Sequence, residues 1–198
     1  MAIRLLTVLA ALAMIPSAAA QCPDPANLVT NCGFEVNDDD WSAVRADSMA
    51  RSTAEARTGV ASLLGDAQQM ASDWRLTVET CVDVAPNTGY GSGVHARLLS
   101  GSDVDCRIYI NAYHEEGCVD FALGNAGDWT RLGTSIWAGT GYDFFNGSGL
   151  ESVLLDVECT STVGDFQAYI DDAFLGIGLS FQIFADGFES GDTTAWAP

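Results

Sequence analysis

Cys106-Arg107-Ile108-Tyr109-Ile110-Asn111-Ala112-Tyr113 decides the fold. Small or apolar side chains alternate with polar or amphipathic ones, the period of a half-buried strand. Cys106, Ile108, Ile110 and Ala112 look inward. Arg107, Tyr109, Asn111 and Tyr113 share the outer face. The same alternation runs through 153–159, with Val153, Leu155 and Val157 inward and Leu154, Asp156 and Glu158 outward. In 90–98, Tyr90, Ser92, Val94, Ala96 and Leu98 fall on one face, and Gly91, Gly93, His95, Arg97 and Leu99 on the other. Further stretches rich in Val, Ile, Thr and aromatics, punctuated by Gly, Asn, Asp and Ser turns, predict strands near 60–66, 73–84, 89–99, 105–114, 130–138, 151–159 and 166–176. Only 46–57 admits a helical or mixed reading. Many short strands without alternating helices imply an all-β, antiparallel β-sandwich.

The first twenty residues stand outside that pattern. Arg4, the apolar run Leu5 to Ile15 and Ser17-Ala18-Ala19-Ala20 read as a signal peptide over 1–20, cleaved before Gln21. The run is too short to span a bilayer, and no later segment is long enough. Gln21 before Cys22 does not suit a lipid-attachment signal. The expected product is a secreted, extracellular protein, with the periplasm or the outer cell surface as alternatives, and the rest of the 198-residue chain suits one domain.

All six cysteines lie in that part, and an even count in an exported chain reads as disulfides. Many pairings are possible. Cys106 and Cys118 flank an expected hairpin and are paired first; of the pairings still open to the other four, Cys22–Cys32 and Cys81–Cys159 are the expected ones. No Cys-x-x-Cys occurs, which argues against a redox motif or a zinc ribbon. With 27 acidic residues against 8 basic ones, and no lysine, the chain repels phosphate backbones and anionic membranes, which disfavours nucleic acid as a partner.

Two short motifs stand at the ends of the domain: Asn27-Leu28-Val29-Thr30-Asn31-Cys32-Gly33-Phe34-Glu35, followed by Trp41, and Tyr169-Ile170-Asp171-Asp172-Ala173-Phe174-Leu175. Together they resemble the opening and closing segments of carbohydrate-binding modules in the galactose-binding-like jelly-roll superfamily. The resemblance covers roughly residues 27–177. It implies a β-jelly roll over 21–177 and a structural calcium ion held by Glu35, Asp171 and Asp172, with carbonyls from the Arg57-Thr58-Gly59 turn. Those modules have His-Ser-Gly at the turn; here Arg57 and Thr58 replace the first two.

The resemblance also implies that the strands read above neighbour one another in a concave sheet, lined by His95, Arg97, Arg107, Tyr109, Asn111, Tyr113, Asp156 and Glu158. That mixture suits a polysaccharide or other glycan: aromatic faces stack on pyranose C–H groups, and Asn, Arg and carboxylates bond hydroxyls. A loop edge with Trp129, Trp137, Tyr142, Phe144 and Phe145 is a second candidate, whereas Trp41 and Trp74 read as core. No His-Glu-x-x-His, Gly-x-Ser-x-Gly or Walker loop occurs. Asp156 and Glu158 are too close for separate acid and nucleophile roles. The expected function is non-catalytic glycan binding. The alternative is a structural or adhesive envelope protein with the same fold and no sugar site.

Residues 178–198, with Phe184, Phe188 and Trp196 among acid and glycine, follow the expected closing strand. They resemble a C-terminal tail of exported proteins from some Gram-negative bacteria, and are expected to be an extension or tag with an export or cell-surface partner.

Overall fold

The computed structural model describes Cys22 and residues 26–178. The expected leader over 1–20 and the tail from 179 lie outside the described residues. Among those described there is no helix, and so none long and apolar enough to cross a membrane.

Among the described residues, twelve strands form two antiparallel sheets: β1 (Ser42–Arg45), β2 (Ser48–Ser52), β3 (Ser62–Asp66), β4 (Gln68–Gln69), β5 (Trp74–Asp83), β6 (Thr88–Ser100), β7 (Asp105–Glu115), β8 (Val119–Ala126), β9 (Thr130–Arg131), β10 (Ala138–Asn146), β11 (Ser152–Ser161) and β12 (Gln167–Ile177). The first sheet runs β1-β5-β11-β7-β8, with β4 on β5 and β9 on β7. The second runs β10-β6-β12-β3-β2. The sheets pack face to face as a jelly-roll sandwich.

Alternation builds the core as expected. Leu76 and Val78 of β5, Ile108 and Ile110 of β7, and Val153, Leu155 and Val157 of β11 are buried from the first sheet. Leu63 of β3, Val94 and Ala96 of β6 and Ile170 of β12 meet them from the second. Each Leu, Ile or Val among them contributes about 1.5–3 kcal/mol when fully buried. Phe34 and Trp41 close one end, with ring centroids 5.3 Å apart.

Three expectations need correction. The 46–57 stretch contains a strand, β2, which pairs with β3. The expected strand at 130–138 is only the two-residue β9, and the long strand follows at 138–146. β8 was not expected at all. Val119, Phe121 and Leu123 alternate with Asp120, Ala122 and Gly124, but these apolar side chains stand exposed on an edge strand rather than in the core, and the alternation was not read as a strand.

Two of the three disulfides differ as well. Cys22–Cys32 is formed as expected, but the others are Cys81–Cys118 and Cys106–Cys159. In the β7–β8 hairpin Glu115 pairs with Val119, while Cys106 at the far end of β7 pairs with Thr130. Nine residues of strand, about 30 Å, separate Cys106 from the turn that carries Cys118. Cys106 instead lies directly opposite Cys159 on β11, both inside the core.

Candidate functional site

Register places the outward side chains of the first sheet in rows across the strands. One row reads Arg45, Thr77, Glu158, Arg107, from β1 through β5 and β11 to β7. The next reads Glu79, Asp156, Tyr109. Leu154 and Asn111 follow, then Ser152 and Tyr113. Between them lies a cavity of about 260 Å³ lined by Arg45, Arg75, Thr77, Arg107, Tyr109, Asn111, Asp156 and Glu158. Gly124 on β8 keeps the rim low: a Cβ there would stand 2.7 Å from Asn111 Oδ1 and 2.9 Å from Tyr109 Cε1.

Glu158 organises the charges. Its Oε2 accepts from Arg107 Nε at 3.0 Å and Nη2 at 2.8 Å, and its Oε1 accepts from Arg75 Nη1 at 3.2 Å. Arg75 also donates to Asp73 at 2.9 Å. The Arg107 guanidinium lies 4.2 Å from the Trp129 ring centre and 5.2 Å from that of Tyr109, a cation–π arrangement that leaves Trp129 44 % exposed. Further along β7, Tyr113 meets exposed Phe121 edge-on at 5.7 Å.

Several groups in the cavity have no counterpart. Thr77 is 4 % exposed and its Oγ1 has no hydrogen-bond partner among the described residues. Asp156 accepts from Asn111 Nδ2 at 2.9 Å through Oδ2, while its buried Oδ1 receives no donor. Burial, the facing Glu79 and then Glu158 push the Asp156 carboxyl up to about 7, against the pull of Arg45. Burial raises Glu79 as well, and a proton on Asp156 joins the pair as carboxyl to carboxylate. The Arg45 guanidinium has no hydrogen bond or salt bridge among the described residues.

Six of the eight residues expected on a common face are on it: Arg107, Tyr109, Asn111, Tyr113, Asp156 and Glu158. His95 and Arg97 are not, because β6 belongs to the second sheet. Arg97 pairs there with Glu55 at 2.8 Å and lies 5.7 Å from the Trp137 and Tyr169 ring centres. His95 is buried opposite Asp171 and Gly139, and burial, then Arg57, lower it to about 4. The aromatic edge divides similarly. Trp129 joins the first sheet's face, Trp137 packs on Tyr169, Tyr142 and Phe144 stack 6.4 Å apart, and Phe145 stands exposed. Arg45, Arg75 and Thr77 were missed. Arg75, Thr77 and Glu79 alternate with Leu76 and Val78, so the parity of β5 pointed to them.

The three acids expected to hold calcium do converge. The β12–β6 register shifts between Asp171 and Phe174, and Asp172 has φ 49°. Adjacent residues of a regular strand face opposite ways; this bulge lets both Asp171 and Asp172 bond the 57–58 turn. That turn presents hydrogen-bond donors. Asp171 Oδ2 accepts from the backbone N–H of Arg57 at 2.7 Å and of Thr58 at 3.3 Å, and its Oδ1 from Asp172 N–H at 2.8 Å. Asp172 accepts from Arg57 Nη1 at 2.7 Å and from the Thr58 hydroxyl. Glu35 accepts from the N–H of Val60 at 3.0 and 3.1 Å. Burial and the neighbouring Asp172 raise Asp171 to about 7. Calcium is coordinated by oxygen alone; an arrangement of N–H groups and a guanidinium around these carboxylates does not fit it.

No protein-family model matches the sequence, and a search of curated proteins returns no match. Solved structures do match in fold. The C-terminal family 22 carbohydrate-binding module of Clostridium thermocellum Xyn10B is 18 % identical, with a TM-score of 0.60 over 78 % of this chain and 95 % of that one. TmCBM61, solved in complex with β-1,4-galactotriose, is 16 % identical, with a TM-score of 0.52 over 76 % and 98 %. The enzymatically active domain of bacteriophage CBA120 tailspike protein 4 is 12 % identical, with a TM-score of 0.58; the match covers 77 % of this chain and only 21 % of that one. The chain therefore has the jelly-roll fold of carbohydrate-binding modules.

Proposed function

We propose that this is an exported glycan-binding protein that takes its ligand on the outer face of the β1-β5-β11-β7-β8 sheet and performs no chemistry on it. The observation that carries the reading is the buried Thr77 Oγ1, without a partner among the described residues, in a polar cavity flanked by exposed aromatic surface. An unpaired buried polar atom is costly, and a ligand hydroxyl would satisfy it. Trp129, Tyr109 and Tyr113 supply stacking surfaces, and Arg45, beside Glu79 and Asp156, a guanidinium lining the cavity. A hydrolytic role is disfavoured because Glu158 is tied to two guanidinium groups and Asp156 to Asn111 and Glu79. Neither is free to act as a separate acid or nucleophile. The fold of carbohydrate-binding modules and three disulfides support a non-catalytic role outside the reducing cytosol. Calcium is left out of this reading, because the carboxylates expected to hold it are met by the chain's own donors.

A glycan array followed by calorimetry tests the proposal. The protein should bind at least one oligosaccharide. Replacing Tyr109 and Tyr113 together by alanine should weaken binding at least tenfold while the melting temperature holds, since each stacked ring contributes on the order of 1 kcal/mol. Unchanged affinity in the double variant would move the site off this face. Absence of binding to any glycan would leave the structural or adhesive role.

A further inference from the structure

The acid cluster at the junction of the domain's ends carries the new inference. Segment 27–32 is zipped onto β12: Leu28 N–H donates to Leu175 C=O at 2.7 Å, Ala173 N–H to Cys32 C=O at 3.0 Å, and the Asn27 side chain bonds both Ala173 C=O and Leu175 N–H. Glu35 follows this segment, and Asp171 and Asp172 precede its partner. Three carboxylates are thus brought to one place, with Asp171 wholly buried. Buried carboxylates need a compensating charge.

Two arginines and one turn supply it. Each of the six carboxylate oxygens accepts a hydrogen bond from the chain itself. Four backbone N–H groups, of Arg57, Thr58, Val60 and Ala61, point from the turn toward Asp171 and Glu35. Such a concavity of backbone donors binds anions. Gly59 makes the approach possible: its φ is +66°, and a Cβ there would run into the Glu35 carboxylate. The Arg57 guanidinium completes the cluster on Asp172, with side chains only 15 % and 8 % exposed. The backbone carbonyls of Phe34 and Glu35, oxygens a cation would draw on, accept instead from Arg51 Nε at 2.6 Å and Nη2 at 2.8 Å.

We propose that Arg57, seconded by Arg51, is the built-in cation of this junction, so that the two ends of the domain are held together without a metal ion. The Arg57 guanidinium and the donors aimed at every carboxylate oxygen then do together what an exchangeable cation would do.

The test uses the full chain, stripped with chelator. Its melting temperature should be the same in chelator and in excess calcium, and titration calorimetry should record no calcium binding. Arg57→Met should lower the melting temperature by several degrees, and Arg57→Lys should recover part of that loss by restoring the charge. A wild-type melting temperature that falls in chelator and returns with calcium would overturn the proposal, as would Arg57→Met melting with the wild type. Should Arg57→Met fail to fold, the wild-type calcium titration still decides: a binding isotherm refutes the built-in cation, and a flat one supports it.

Discussion

Arg107 and Arg97 are near twins placed on opposite sheets. Each projects outward from a long strand, lies over two aromatic rings and pairs with one glutamate. Their surroundings differ. Around Arg107 the rows run charged and polar across four strands, Glu158 is shared with Arg75, and a cavity opens beside them. Beside Arg97 the rows of the second sheet are short of side chains: Gly139 faces His95, Gly141 faces Gly93, and Gly91 faces Gly176. Tyr169 is 3 % exposed, and Glu55 reaches in from a loop. An outward arginine on aromatics is therefore not a binding site in itself. The neighbours that register sets beside it decide whether it anchors a face open to ligand or seals a face already filled.

The comparison can be broken most forcefully at the two glutamates. Glu158→Ala leaves Arg75 and Arg107 without their shared counter-ion in a half-buried setting, and should cost about 3 kcal/mol. Glu55→Ala removes a more exposed partner, 41 % accessible at the side chain, and should cost no more than about 1 kcal/mol. Urea denaturation of both variants measures the gap, and equal losses would mean that the two arginines are equivalent after all. A smaller effect sharpens the functional half. Trp129→Ala should reduce affinity for a bound glycan about tenfold, whereas Trp137→Ala should leave it within about twofold. Calorimetry that found the reverse would transfer the ligand to the second sheet. A pH-dependent effect concerns Asp156. Its folded carboxyl titrates near 7 against an ordinary value of 3.8, so the folded protein holds a proton that the unfolded chain has lost. Stability should then fall as pH rises from about 4 through 7. Asp156→Asn, which stays neutral, should gain melting temperature over wild type at pH 8 and little at pH 5. Parallel curves for the two proteins would show that the Asp156–Glu79 pair holds no proton.

Much of this face was legible in the sequence, because parity is local information. Ile108 and Ile110 had to look inward, so Arg107, Tyr109 and Asn111 had to look outward, and β11 follows the same rule. Which sheet a strand joins is not local information. Nothing in the alternation of 90–98 says that β6 lies between β10 and β12, and so His95 and Arg97 were expected on the wrong side of the sandwich. The disulfides show parity read but not carried through. Cys106 shares its inward set with Ile108, and Cys159 shares that of Val157, so the two belong together in the core. Proximity along a hairpin was the weaker guide. The acids at the domain's ends were legible as a cluster. Their donors were not, because a bulge at Asp172 and the direction of backbone N–H groups in a turn depend on contacts that no short motif encodes.

The Cys106–Cys159 bond joins residues that face each other in the β7–β11 ladder. A slip of one residue between those strands would turn one of the two sulfurs away from the core, and the bond could not close. The same slip would carry Glu158 inward and leave Val157 on the outer face. Closing this bond therefore works as a gauge applied during oxidative folding. Only chains that have aligned the two strands correctly can be sealed, and a sealed chain presents the right side chains outward.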